Sequence, residues 1–306
     1  MRNAFSEALY EAALEDDRVC IVVSDISPAG SMADFQKDHA DRFLNVGVAE
    51  QSMIGICAGL ATKGMRPFAY TIATFTLYRP FEMVRDDLCY QNLPVTVVGM
   101  GAGIVYSTLG STHHTQEDIA VAGALPNMQI LTPCDPAETR EMTKFCALEN
   151  QGPLYLRLGK AGEPVLTDQA IDGFEFGKIR TLRQGSDICI MAHGAIMSMA
   201  LEIADELEKG GASVSVANVH TLKPIDREGI ARRLKEHRKV IVIEEHAPIG
   251  GLATHAKSIA WDEKANCDLH VYTLSDAFIH CYGSHEELRS AHGLDKQRIL
   301  ANLGAG

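Results

Sequence analysis

The sequence lacks the features that mark several large classes of protein. No apolar run among its 306 residues approaches the ~18 uninterrupted residues that a membrane helix needs. The first residues carry acids early and do not show the basic-then-apolar layout of a signal peptide. Positive charge is also scarce: 28 Lys and Arg face 40 Asp and Glu, and the net charge of −12 argues against nucleic-acid binding. The sequence therefore predicts a soluble, cytoplasmic protein.

C-x-x-C pairs are absent as well. The eight cysteines are scattered, and several lie in apolar runs such as VCIVVS and ICIMAH. A thiol in such a run packs as a small hydrophobic group, and a reducing cytosol keeps it free. Because a zinc site needs clustered thiolates or imidazoles, the sequence predicts no metal ligand of its own.

The remaining composition is that of a globular protein with about two domains, at roughly 150 residues per domain. Short β-branched runs alternate with helix-length segments, which is typical of parallel sheets covered by helices on both faces. A Gly- and Pro-containing stretch at 159–185 interrupts the alternation and is typical of a linker. The sequence predicts two α/β domains, at residues 1–165 and 180–306.

The predicted elements follow from this alternation. Strands are expected at 19–24, 66–73, 95–100, 128–132 and 154–158, and then at 188–193, 213–219, 240–244 and 269–274. Helices are expected at 3–15, 50–63, 79–91, 116–124 and 135–149, and then at 195–210, 226–237, 251–263 and 285–291. Ligands of parallel α/β sheets bind beyond the carboxyl ends of the strands, so the segments that follow the strands are where site residues are expected.

Glu50 opens a predicted helix that is rich in Gly, Ala, Met and Ile. Apolar surroundings raise the pKa of a carboxyl group, which lets it share a proton at neutral pH. The same position has a structural explanation, because an acid in the first turn stabilises the helix dipole. The pattern alone leaves both interpretations open.

Three aromatic residues, Phe75, Tyr78 and Phe81, recur at three-residue spacing near the start of the next predicted helix. On one face they would form an aromatic wall on which a flat heteroaromatic ligand stacks. Packing in the core is the alternative interpretation of this stripe.

A Gly/Ser/Thr-rich loop at 101–120 follows a predicted strand and carries His113 and His114 just before a helix. A histidine in this place is suited to moving protons or binding an oxyanion, although exposed loop histidines often have no role. Arg2 and Arg157 are the last candidates, because a bidentate arginine suits phosphate. An ordinary surface arginine is the alternative.

In their order and separation, these segments resemble the C-terminal half of transketolase, and most closely the split type in which that half is a separate subunit. The motifs are VAEQ (48–51), TFTLYRPF (74–81), LGSTHHTQEDIA (109–120), ALPNM (124–128), LYLRLGK (154–160), HTLKPID (220–226) and EEHAPIGGL (244–252). The resemblance covers essentially the whole chain. It implies a thiamine-diphosphate pyrimidine-binding domain with a parallel sheet, followed by a transketolase C-terminal-like domain.

The resemblance implies a role for the first group of candidates. Glu50 matches the catalytic glutamate that protonates the pyrimidine ring of thiamine diphosphate, and so leads to loss of the proton from the thiazolium carbon. Phe75, Tyr78 and Phe81 match the aromatic pocket that holds this pyrimidine.

The resemblance also implies a substrate site. His113 matches a histidine near the reacting sugar oxygens, with both a catalytic and a substrate-binding role, and His114 lies beside it in the same predicted site. Arg2 and Arg157 match the arginines that grip a sugar phosphate.

Three positions depart from the pattern of single-chain transketolases. Gly101 stands where another histidine is usual, and Leu109 replaces an acid four residues before His113. Both changes alter how donor hydroxyls are held, so the sugar specificity is left open. Ala29 stands where a phosphate-contacting serine is expected, which weakens the phosphate prediction.

The family's diphosphate-and-metal motif, Gly-Asp-Gly followed downstream by Asn, does not occur in the sequence. Magnesium and diphosphate need oxygen ligands on a preorganised loop, so a partner N-terminal subunit is expected to hold the diphosphate and the Mg²⁺. The resemblance implies a heterotetramer of two plus two chains that moves a two-carbon ketol unit between sugars or sugar phosphates and is active only with the partner.

Three other functions stay open. The beta subunit of a 2-oxo acid dehydrogenase has the same architecture, but the His-His loop and the two arginines favour sugars. A deoxyxylulose-phosphate-synthase-like enzyme shares some motifs, but it normally carries both halves in one chain. A non-catalytic assembly subunit would have no use for Glu50, the aromatic residues and His113 together.

Overall fold

The computed structural model describes residues 1–26 and 30–304, and it shows two α/β domains, each built around its own sheet. Ala29 lies outside the described residues. The strands are β1 (Val19–Val23), β2 (Phe43–Asn45), β3 (Arg66–Ile72), β4 (Thr96–Met100), β5 (Gln129–Leu131), β6 (Leu154–Leu158), β7 (Arg180–Arg183), β8 (Ile188–Ala192), β9 (Val214–Asn218), β10 (Thr221–Lys223), β11 (Lys239–Ile243) and β12 (Asp268–Tyr272).

The helices cover the faces of the two sheets. They are α1 (Arg2–Glu15), α2 (Ser31–Asp38), α3 (Glu50–Thr62), α4 (Ala73–Leu77), α5 (Phe81–Met83), α6 (Asp118–Gly123), α7 (Pro136–Leu148), α8 (Met197–Lys209), α9 (Arg227–Glu236), α10 (Leu252–Asp262), α11 (His285–Ala291) and α12 (Lys296–Asn302). In the described part of the chain, none of them is long and apolar enough to cross a membrane.

The central strands are buried along their whole length because helices cover both of their faces. Every residue of β1, β4, β6, β8 and β9 is buried. An antiparallel sheet with one wet face would instead alternate apolar and polar residues. This continuity is why each predicted strand is observed within two residues of its expected ends.

The first sheet has seven strands, in the order β10-β5-β6-β4-β3-β1-β2. All its pairs are parallel except β10 with β5. The carboxyl ends of β2, β3, β4 and β6 therefore lie along one edge. The segments that leave this edge are those that carry Glu50, Phe75, His113 and Lys160.

Strand β10 comes from the second half of the chain, yet it completes the first sheet. It pairs antiparallel with β5, and Lys223 Nζ donates to the carbonyl of Gly123 at 2.8 Å. The second sheet has the order β12-β11-β8-β9-β7, and β7 begins at Arg180. The two domains are therefore joined by backbone pairing as well as by the linker.

The helix expected at 79–91 is broken up in the structure. Pro80 has no amide hydrogen to donate, so α4 ends before it and α5 begins after it. Val84–Tyr90 then forms a π-helix. The sequence pattern does not predict α4, which places Phe75 immediately after β3.

Candidate cofactor and substrate site

Glu50 is the first residue of α3, and its side chain is only 5% exposed. The turn before the helix is held by Ser24, whose hydroxyl donates to the carbonyl of Gly47 at 2.7 Å and accepts from the amide of Ala49 at 3.3 Å. Arg79 Nη1 donates to Glu50 Oε1 at 2.8 Å. The predicted catalytic carboxylate is thus a buried group at the carboxyl edge of the sheet.

Arg79 also lies against Phe75. Its guanidinium carbon is 3.9 Å from the centroid of the Phe75 ring. The Arg79 guanidinium, a planar cation that carries nitrogen atoms, therefore has the Glu50 carboxylate at its edge and the Phe75 ring on its face. A flat heteroaromatic base that binds here needs the same two partners.

Tyr78 and Phe81 flank Pro80 and pack, partly buried, against the hydrophobic core. The Tyr78 hydroxyl is buried and has no hydrogen-bond partner among the described residues. Burial first, and then the negative charge of Asp118, raise the pKa of Tyr78, so it stays a neutral phenol. A place for both rings in a pyrimidine pocket stays a prediction.

His113 lies at the end of a 3₁₀ turn, Ser111–His113, and its ring meets the edge of Phe75 at a centroid distance of 5.2 Å. The structure therefore brings His113 to the same ring that Arg79 covers. Partial burial, followed by the positive charge of Arg79, lowers the pKa of His113. The imidazole is neutral at pH 7 and is able to take up a proton from a nearby hydroxyl.

His114 has different surroundings from its neighbour. It is buried, and its Nε2 lies 3.3 Å from the backbone carbonyl of Tyr106. Burial lowers the pKa of His114, while the charge of Glu245 from the second domain opposes this shift. Its predicted substrate contact stays a prediction, and the contacts that the structure shows are with the protein.

Arg157 lies on β6 with its side chain 7% exposed. Its Nε donates to Asp118 Oδ2 at 2.8 Å, and its Nη2 donates to the backbone carbonyl of Glu245 at 3.1 Å. Tyr155 donates to the same oxygen of Asp118 at 2.8 Å. These contacts give Arg157 a structural role between β6, α6 and the second domain, and its predicted grip on phosphate stays a prediction.

Arg2 is exposed at the start of α1, and its backbone amide donates to the carbonyl of Lys160 at 3.1 Å. Lys160 Nζ lies 5.3 Å from the centroid of the Tyr106 ring, whose own centroid is 6.3 Å from that of His113. The charges of Arg2 and Lys160 therefore both act on Tyr106, which lies on the loop that carries His113. The predicted contact between Arg2 and a sugar phosphate stays a prediction.

Comparison with known families agrees with this geometry. The family model of the transketolase pyrimidine-binding domain matches residues 1–162, and the model of the transketolase C-terminal domain matches residues 177–299. The chain belongs to the transketolase family. The predicted family, the fold class of two α/β domains and the assignment to transketolase-type transferases are confirmed.

Individual relatives cover the whole chain. An apulose-4-phosphate transketolase subunit of Phocaeicola vulgatus is 33% identical over 97% of this chain and 94% of its own length. A solved split-gene transketolase, described as an inactive beta4 tetramer, has 35% identity and a TM-score of 0.87 over 99% of this chain and 96% of that chain. The 1-deoxy-D-xylulose-5-phosphate synthase of Alkaliphilus oremlandii is 32% identical over 97% of this chain, which spans 47% of that protein.

The departure at Gly101 has a steric explanation in this transketolase-family chain. Gly101 has φ +68°, and a Cβ there would clash with Cε2 of Tyr106. The Tyr106 ring therefore fills the space that a side chain at this position would need. Leu109, the other departure on this loop, is 48% exposed.

Sequence reasoning missed Arg79, Tyr106, Lys160 and Glu245 as parts of the site. The first three lie within or beside the segments that carry the predicted site residues, and Glu245 lies in the EEHAPIGGL motif. Their importance depends on tertiary contacts, which residue spacing does not reveal. Within residues 1–26 and 30–304, no group of three or more His, Cys, Asp or Glu is arranged to hold a metal ion.

Proposed function

We propose that this chain is the pyrimidine-binding subunit of a split, thiamine-diphosphate-dependent transketolase that moves a two-carbon ketol unit between sugars or sugar phosphates. The observation that carries the proposal is the buried Glu50 carboxylate, linked through Arg79 to the face of Phe75, with His113 at the edge of the same ring. The name of the relative from Phocaeicola vulgatus, an apulose-4-phosphate transketolase subunit, supports a ketose phosphate as substrate.

The described residues fit the pyrimidine end of the cofactor. The planar guanidinium of Arg79 already lies between the Glu50 carboxylate and the Phe75 ring, and an aminopyrimidine needs the same two partners. Glu50 would hold a proton at the pyrimidine ring nitrogen, and Phe75 would stack on the ring. When bound, thiamine diphosphate supplies the electron sink for breaking the carbon–carbon bond. His113, neutral at pH 7, would exchange a proton with a sugar hydroxyl.

A partner chain with the diphosphate-and-Mg²⁺ motif completes the proposed enzyme. Exposed apolar residues beside Glu50 support the proposal that the partner chain covers this surface. Val48 is 69% exposed and Leu44 is 44% exposed. Gly55 and Gly59 leave the neighbouring face of α3 open, because nothing lies within 4 Å of a Cβ placed on either residue. The inactivity of the relative's beta4 tetramer supports a need for the partner. Two copies of each chain would form the heterotetramer.

We also propose a cytoplasmic location. All eight cysteines are free, and six of them are buried. This pattern fits a reducing compartment.

A deoxyxylulose-phosphate-synthase-like reaction is the second candidate. It is supported by the 32% identity to the Alkaliphilus oremlandii enzyme. The name of that enzyme gives a 1-deoxyketose phosphate as its product, whereas ketol transfer makes a ketose that keeps its C1 hydroxyl, so the product distinguishes the two.

The test is to purify the chain with its partner, add thiamine diphosphate and Mg²⁺, and measure the consumption of ketose phosphates, free ketoses and 2-oxo acids in separate reactions with an aldose acceptor. Consumption of a ketose with transfer of two carbons to the acceptor is the expected result. Formation of a 1-deoxyketose phosphate from a 2-oxo acid and the aldose acceptor, without consumption of any ketose, would support the second candidate. A fully assembled complex that consumes none of these donors would contradict the proposal.

A further inference from the structure

Glu245 belongs to the second domain but contacts the loop that carries His113. It follows β11, and its side chain is buried. Oε1 accepts a hydrogen bond from the amide of Ile104 at 2.9 Å, and Oε2 accepts one from His285 Nε2 at 2.7 Å. Burial opposes the charge, but the positive charge and hydrogen bond of His285 and the amide of Ile104 lower the pKa of Glu245 to about 2. The carboxylate is therefore ionised at neutral pH.

The loop backbone lies directly on this carboxylate. Gly103 has φ +76°, and a Cβ there would clash with Glu245 Oε1. The Gly103 amide donates to Thr115 Oγ1 at 2.8 Å, and the Thr115 amide donates to the Gly103 carbonyl at 2.8 Å. These bonds close the loop at its base, next to Glu245. Tyr106 and His113 lie within the closed loop.

The backbone carbonyl of Glu245 fixes the far end of the same loop. It accepts a hydrogen bond from Arg157, which in turn holds Asp118 at the start of α6. One residue of the second domain thus anchors both the entry of the loop, through its carboxylate, and the exit, through its carbonyl.

We propose that Glu245 is a positioning residue for the transfer reaction. From its place in the second domain it fixes the loop at 103–115 of the first domain, and thereby holds His113 at the edge of Phe75. The inference rests on the proposed function of the site. It also gives the second domain a task in the reaction, because the carboxylate of Glu245 is a charged anchor at the base of the loop.

The expected effect is specific to the substrate. Glu245→Gln keeps the size and one acceptor but loses the charge, and charge-assisted hydrogen bonds are roughly twice as strong as neutral ones. A looser loop misplaces His113, and small misplacements of a reacting group lower the rate steeply. Glu50 and Phe75 lie on other segments, so binding of the cofactor is expected to be unchanged.

The first experiment measures the loop itself, on the chain without cofactor. In Glu245→Gln, amide hydrogen exchange in residues 103–114 is expected to be at least about fivefold faster than in the wild type, because opening costs less free energy. Glu236→Gln is the matched control, since Glu236 is exposed on α9 and has no ion pair or side-chain hydrogen bond in the described structure. Unchanged exchange in the loop of Glu245→Gln would overturn the anchoring role.

The second experiment uses the complex with the partner chain. Glu245→Gln is expected to lower kcat/KM for the sugar donor about tenfold, with an unchanged Kd for thiamine diphosphate. His285→Ala, at a side chain that is 30% exposed, is a variant less prone to misfolding and is expected to show a smaller fall in the same direction. If the wild type transfers ketol units and both variants match it in kcat/KM, the positioning role is wrong. If the wild type consumes no sugar, the proposed function fails, and the exchange measurement still decides whether Glu245 anchors the loop.

Discussion

Arg79 donates a hydrogen bond to Glu50 at 2.8 Å while its guanidinium carbon lies 3.9 Å from the centroid of the Phe75 ring. The carboxylate is 5% exposed and the arginine side chain is 44% exposed. The arginine is therefore able to leave toward solvent, whereas the carboxylate is fixed at the start of α3. The pair stabilises the buried charge of Glu50 and covers the aromatic face that the cofactor is expected to use.

Replacement of Arg79 by Met is expected to tighten the binding of thiamine diphosphate by about three- to tenfold. The cofactor would no longer displace an ion pair worth up to about 1 kcal/mol and a cation–ring contact worth about 0.5–1 kcal/mol. Calorimetric titration of the complex with its partner measures this change. Arg85→Met is the control, because Arg85 is exposed and pairs with Asp86 on the neighbouring π-helix. Weaker binding in Arg79→Met would show that Arg79 holds the cofactor and does not compete with it.

The pH dependence of the reaction is expected to report on His113. Burial and the charge of Arg79 lower its pKa below the ordinary value of 6.5. The neutral imidazole is the active form, so kcat/KM is expected to fall only as the pH drops through this lowered pKa. In the chain without cofactor, Arg79→Met removes the nearby positive charge, so the pKa of His113 should rise, which an NMR titration of the imidazole measures. An acid limb that persists unchanged in His113→Asn would assign it to another group.

The Asp118–Arg157 pair is expected to be important for stability. Asp118→Asn leaves the buried Arg157 without its charged partner, which costs about 3–5 kcal/mol of unfolding free energy. Arg183→Met, which breaks the exposed pairs with Asp205 and Glu208, should cost less than about 1 kcal/mol. Urea denaturation measures both values. Equal small losses in the two variants would contradict the structural role given to Arg157.

Much of the fold follows from the sequence because the central strands are buried on both faces. VCIVV and ICIMA are continuous apolar runs, so their strands are visible without knowledge of their neighbours. Strand β10 has only three residues, and its partner β5 is distant in sequence, so no local pattern indicates it.

The residues of the candidate site also differ in how far the sequence reveals them. Glu50, Phe75 and His113 can be identified from motifs, and the structure brings them together through Arg79 and the Phe75 ring. For Arg157 the resemblance implies a phosphate contact, but no sequence pattern indicates its burial against Asp118, because that contact depends on how β6 meets α6. Glu245 is hidden for a similar reason, since its contact with Ile104 joins two domains.

The most direct test of the account is Glu50→Gln in the enzyme assembled with its partner. Glutamine keeps the shape and can accept the hydrogen bond of Arg79, but it cannot hold a proton at the pyrimidine nitrogen. Ketol transfer is expected to fall at least about a hundredfold, with assembly and sugar binding unchanged. Glu82→Gln, at an exposed position on α5, should keep wild-type turnover. Near-wild-type turnover in Glu50→Gln would contradict the assignment of Glu50 as the catalytic carboxylate.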